Sequence, residues 1–245
     1  MQRADDRLCG RRSVSVSVGD FAYGRRSFQV CDQNAQTGSF DRLRIGWKSW
    51  AVWFILFFLI TAIAPRDAHF DTAHYHLHNG WSFWAGRLDQ DFAPSGMHSF
   101  LNPFHSAIVW LLVTSLPGPL AIGLLGLVQA AILPGLYALL ARIAFRLDVD
   151  VSPAVLFAIA FTCFASQPMI IMMSSVLNDH WGAATFIFAL VLLVPHDREQ
   201  PDVRALVVGA ALVGAGFGMK VTNAIYVIGY ASTVLAIMPS WQARV

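Results

Sequence analysis

Charge is what this sequence has least of. Asp, Glu, Lys and Arg together make up 13% of its 245 residues, about half of what a soluble domain carries. With 56% of the chain hydrophobic, that shortage excludes an ordinary water-soluble fold. Cysteine is nearly as scarce. Cys9, Cys31 and Cys163 are the only three, and no two are spaced as a CxxC pair, which excludes a disulfide framework and a cysteine metal site. Net charge is only +2, and nine of the seventeen Lys and Arg residues fall in the first 48 positions. No basic stripe interleaved with aromatics follows them, so nucleic acid is excluded as a partner.

What remains is a polytopic membrane protein of the all-α class, with the lipid bilayer as its solvent. Residues 1–44 repeat Gly-Arg-Arg and show no apolar periodicity, which predicts a disordered cytosolic leader. Arg25-Arg26-Ser27-Phe28-Gln29-Val30 resembles an export signal, but the apolar stretch such a signal needs begins too far downstream. Residues 45–245 form the transmembrane region. Its apolar runs, 45–64, 119–145, 153–173 (interrupted by Pro168), 183–194, 206–218 and 224–238, predict a bundle of about six spans. The run 104–116 falls short of the ~20 residues needed to cross. With the N-terminus in the cytoplasm and 104–116 not crossing, Arg142, Arg146, Arg198, Arg204 and Arg244 join the leader on the cytoplasmic side. That matches the positive-inside bias, and it puts the loop 65–103, Asn178-Asp179-His180 and Lys220 together on the opposite face.

The chemistry concentrates around that loop. Residues 65–105 hold six of the eight histidines. Asp71, His74, Tyr75 and His78 are spaced i, i+3, i+4 and i+7, so a helix would set them on one face with His69 and His76 pointing elsewhere. A carboxylate among imidazoles can serve as a general base. It can also hold a divalent cation such as Mg, Mn or Zn, with Asp71, His74 and His78 as ligands. The same residues would equally cap and solvate an interfacial helix anchored by Trp81, Phe83 and Trp84. Asp179 and its neighbours stand at the end of an apolar span, where ionisable groups mark either a functional site or a helix cap. Lys220 lies in Gly216-Phe217-Gly218-Met219-Lys220; it suits a phosphate as a point charge and suits snorkelling to the interface equally.

The run Asp71-x-x-His74-Tyr75-His76-x-x-Asn79-Gly80-Trp81 is followed by Gly86-Arg87-Leu88. Then come Ala93-Pro94-x-Gly96-Met97-His98-Ser99-Phe100-x-Asn102-Pro103 and, later, Lys220-x-Thr222-Asn223-Ala224-Ile225-Tyr226. Together they resemble bacterial membrane glycosyltransferases of the GT-C superfamily over roughly residues 45–240. The resemblance implies sugar transfer from a polyprenyl-phosphate donor to a glycan or lipid acceptor, on the outer face of a bacterial inner membrane. Asp71 matches the essential acid of the first outer loop, as general base or metal ligand, and Asp179 a second acidic position. The resemblance further implies that His78, Asn79, Asn178 and Lys220 bind substrate, Lys220 through the donor phosphate. Neither acid forms a DxD or DE pair, and such enzymes carry about twice as many spans, which implies that this chain is part of a longer one. The rival expectation is a non-catalytic polytopic protein, a transporter part or assembly factor, whose His-rich loop binds metal or a partner.

Overall fold

The computed structural model describes residues 40, 43–64, 72–90, 102–173, 175–195 and 201–237. Among them the regular structure is helical and no strand occurs. The helices are α1 (Trp47–Ile63), α2 (Leu77–Trp84), α3 (Phe104–Ser115), α4 (Gly118–Ala130), α5 (Ile132–Arg146), α6 (Pro153–Phe164), α7 (Gln167–Ile171), α8 (Asp179–Leu193), α9 (Val203–Met219) and α10 (Ala224–Ile237). A π-helical turn, Thr72–His76, leads into α2, and a single 3₁₀ turn, Val221–Asn223, leads into α10.

The stretch Gly118–Arg146, which joins α4 to α5, is long and apolar enough to cross a membrane. The other apolar helices run from 12 to 17 residues.

One residue, Ala131, separates α4 from α5, and the cause lies three residues further on. Pro134 has no N–H to give the carbonyl of Ala130, which it would reach in an unbroken helix. The indole N–H of Trp53 supplies that bond instead, at 2.8 Å, so α1 is pinned where α5 is weakest. Trp50 lies edge-on to Tyr137, and the Tyr137 hydroxyl donates to the carbonyl of Leu43 at 2.6 Å. α1 and α5 therefore run antiparallel. Leu43 is buried and Phe40 packs edge-on against Phe145, so packing begins at the end of the leader, just before the first apolar run.

The remaining legs alternate in direction. α6 returns alongside α5, and its Phe164 meets Trp53 and Phe57 of α1. It ends at Phe164, and α7 restarts with Pro168 in its first turn, because Pro168 has no N–H to give the Phe164 carbonyl that a continued helix would need. α8 runs parallel to α5: Gly135 faces Ile187, and the Arg142 guanidinium donates to the carbonyls of Val191 and Val194. α9 runs back along α8, and α10 back along α9, where the Tyr230 hydroxyl donates to Leu206 at 2.8 Å. The main core lies between α1, α5, α6 and α8, and a second one between α8, α9 and α10.

α8 and α9 approach closely through small residues. Gly182 packs on the Asn223 side chain, and Gly216 on Thr185 and the Gly182 Cα. α2 and α3 do the same at Gly80, which lies against the Ser106 carbonyl and the Trp110 Cβ. α2 ends at Gly86, whose φ of +65° suits glycine because a Cβ is disfavoured there. The Arg87 N–H closes the turn onto the Ser82 carbonyl at 2.8 Å.

Candidate functional site

The site is assembled where α9 stops. The last carbonyls of a helix run short of donors in their own helix, and here two asparagine side chains add bonds, one of them to a carbonyl that also accepts from the Lys220 N–H. Asn223 Nδ2 donates to the carbonyl of Gly216 at 2.8 Å, and Asn178 Nδ2 donates to that of Met219 at 3.0 Å. Both asparagines are buried. This double cap halts α9 and turns Lys220 into extended backbone, with φ −152° and ψ 121°. The Lys220 ammonium then reaches Asp179, the first residue of α8, with Nζ 2.6 Å from Oδ1. The pair stays wet: the side chains of Lys220 and Asp179 are 25% and 37% exposed. Asp179 also sits where the α8 dipole favours a negative charge.

Beneath this ion pair lies a group of aromatic and imidazole rings. His105, in the first turn of α3, is 1% exposed, and His180, next to Asp179, is 2% exposed. Trp181 stands edge-on to His105 with centroids 5.1 Å apart, and His76 packs edge-on with His105 at 5.4 Å. Ser106 Oγ and His76 Nδ1 are hydrogen-bonded at 3.1 Å. Both ring nitrogens of His105, Nδ1 of His180 and Nε1 of Trp181 are buried, with no hydrogen-bond partner among the described residues. Leaving such groups unmet is worth about 1–3 kcal/mol apiece. Burial first, then the neighbouring His76, His180 and Lys220, lower the pKa of His105 from 6.5 to about 3. Its ring is therefore neutral at physiological pH, with one N–H donor and one lone pair.

Of the residues singled out in the sequence, Asp179, Asn178 and Lys220 come together. Asp71 lies outside the described residues, and so does the His74 side chain. His78 is half-buried, within 3.4 Å of Ser82 Oγ and tilted against Trp81. Asn79 is buried in α2. His76 is buried beside His105 and hydrogen-bonded to Ser106. The face expected to join Asp71, His74, Tyr75 and His78 lies outside the described residues, because Asp71 and the His74 side chain do. Thr72–His76 is a π-helical turn, whose i→i+5 bonding advances each residue less far round the axis than an α-helix. Among the described residues no three His, Cys, Asp or Glu groups are placed to hold a metal ion.

His105 and Trp181 are the members that sequence reasoning passed over, while His180 was grouped with Asn178 and Asp179. His105 opens a run of apolar residues in which it is the single histidine, and that isolation was its one visible signal. A cavity of about 230 Å³ opens at the far end of the bundle, between Ile143, Arg146, Leu147, Leu193, Val194 and Ile237. Its walls are apolar and it lies away from the ring cluster.

Comparison with models of protein families, with curated proteins and with solved structures finds no match for this chain.

Proposed function

We propose that this chain is a multi-pass membrane protein of the GT-C glycosyltransferase type. It would move a sugar from a lipid-phosphate donor to an acceptor hydroxyl on the non-cytoplasmic face of a bacterial inner membrane, with its N-terminus in the cytoplasm. One observation carries the reading: Asp179 and Lys220, 41 residues apart in sequence, meet above the buried rings of His105 and His180. Acid, cation and neutral imidazoles at one end of a bundle are what phosphate-leaving transfer chemistry requires.

The wider architecture supports it. The legs alternate in direction. Arg142 and Arg146 lie toward the end of α8 opposite Asp179, about 22 Å along the helix. Large apolar side chains face outward on α1, α9 and α10, among them Ile55, Leu59, Val207, Ile225, Ile228 and Leu235. Outward apolar faces with arginines gathered at one end are what a bilayer selects.

In the reaction the acceptor oxygen attacks the anomeric carbon, and the bond from that carbon to the donor phosphate breaks. Asp71 takes the acceptor proton, either directly or as the ligand of a divalent cation. Asp179 and His78 orient the acceptor or that cation. The leaving phosphate carries the electron pair of the broken bond and is met by Lys220. An ammonium has three N–H donors, so holding Asp179 leaves others for phosphate oxygens.

The test is transfer from a polyprenyl-phosphate sugar by the full-length protein in nanodiscs, comparing the parent with Asp179→Asn and Asp71→Asn. The expected loss is roughly 10²–10⁴-fold for the base. Transfer at the parental rate by folded protein in both variants would end the catalytic reading. Topology is tested separately, with single cysteines at Ser95 and Ser240 and an impermeant reagent. Labelling of both from the same side would remove the proposed arrangement.

A further inference from the structure

The ring cluster beneath the ion pair has unused hydrogen-bonding groups of a particular kind. His105 contributes two ring nitrogens, His180 contributes Nδ1 and Trp181 contributes its indole N–H, all buried and unmet among the described residues. Three classes of occupant can be compared by what they offer. A phosphate brings only acceptors: it can take the N–H groups but leaves every imidazole lone pair unmet. An ammonium brings only donors: it can meet the lone pairs but leaves the indole and imidazole N–H groups unmet. A transition metal needs converging ligands, and no three such groups among the described residues are placed for one. A hydroxyl both donates and accepts. It can accept from an N–H such as that of the Trp181 indole and donate to an imidazole lone pair.

We propose that His105, His180 and Trp181 form a buried subsite for a neutral, hydroxyl-bearing ligand group of the sugar or polyol class. His105 is its centre, edge-on to Trp181 at 5.1 Å, with His76 edge-on to it at 5.4 Å. His76 is oriented by its bond to Ser106 and closes the wall. The ion pair of Lys220 and Asp179 borders the subsite where α8 begins, so the charged part of a substrate would stay above and its uncharged hydroxyls below. The subsite extends the transfer reading to the uncharged part of the substrate, and rests on that reading only for which molecule brings the hydroxyl.

The experiment reads binding without transfer. Full-chain protein in nanodiscs at pH 7.5, with ¹⁵N-labelled histidine rings, is titrated with glucose, methyl glucoside, inorganic phosphate and Zn²⁺ in turn. His105→Gln and His180→Gln assign the signals. The expected result is a saturable shift of the His105 and His180 ring nitrogens with the neutral sugars alone. Trp181→Phe, which keeps the ring and loses the N–H, should weaken that binding about tenfold. Shifts that follow phosphate or zinc instead would overturn the proposal. No shift with any probe would mean that the ring nitrogens are met by water only, and would overturn it too. Protein that binds sugar yet transfers none would leave the subsite standing while the transfer reading falls.

Discussion

The ammonium of Lys220 sits 2.6 Å from a carboxylate oxygen of Asp179, directly after the helix end that Asn178 and Asn223 cap. Asn178 meets the orphan carbonyl of Met219, and Asn223 adds a bond to the Gly216 carbonyl, which also accepts from the Lys220 N–H; the chain leaves the helix at the residue that pairs with α8. The ion pair is thus a product of helix termination, and its geometry is held by buried amides instead of by its own attraction.

Its stability and its function should therefore separate. Both partners are partly exposed, and pairs of that kind contribute about 0–1 kcal/mol. Lys220→Met, Asp179→Asn and the double variant should each melt within a few degrees of the parent. A coupling energy well above 1 kcal/mol in the double-mutant cycle would contradict this account of the site. Asn178→Ala, by contrast, removes a buried donor and should destabilise by about 1–3 kcal/mol.

Acid should act on His105. Its folded pKa, about 3, lies below the unfolded value of 6.5, so between those values the unfolded chain binds more protons. Stability from this group is complete above pH 6.5 and is lost as pH falls towards 3. His76, His180, Asp179 and Lys220 face the same region, so the contribution must be read by difference. Denaturation of His105→Gln measured from pH 7 to pH 4 should show a shallower decline than the parent; parallel curves would mean that His105 does not titrate in this way.

The bond from Trp53 to Ala130 makes a conditional prediction. Trp53→Phe leaves the Ala130 carbonyl unmet and should destabilise by about 1–3 kcal/mol. Once Pro134→Ala restores a backbone N–H to that carbonyl, the same substitution should cost noticeably less. Equal costs in the two backgrounds, measured by thermal or denaturant unfolding, would remove the explanation of the α4–α5 break.

Gly80 allows α2 to lie on α3. A methyl there would fall on the Ser106 carbonyl and the Trp110 Cβ, and backbone cannot turn aside as a flexible side chain can. Gly80→Ala should separate the helices, lengthen the His76–Ser106 bond and lower stability by about 1–3 kcal/mol. A parental melting temperature in this variant would show that the contact is looser than described.

The helical class and the grouping of Asn178, Asp179 and Lys220 were legible from composition and position. Hydropathy marks apolar helices whatever they pack against, and polar residues at their ends can be paired by counting legs. The ring cluster was not legible, for two physical reasons. A π-turn at Thr72–His76 shifts the facing of His76, and spacing rules assume α-helical rotation. His105 belongs to a helix distant in sequence from His180 and Trp181, and only packing brings it to them. Pro134 could be read as a kink, but nothing in the sequence points to Trp53 as the residue that mends it.

The long sequence separations within the site also set when it can exist. His76 and His105 leave the ribosome well before α8 is made, and the Asn178 amide and Asp179 carboxylate then wait until residues 219 and 220 have followed. During synthesis these polar groups must stay hydrated or be shielded until α9 has been threaded back beside α8. A ribosome stalled before residue 220 would have made every helix up to α9 and still have no ion pair above the rings.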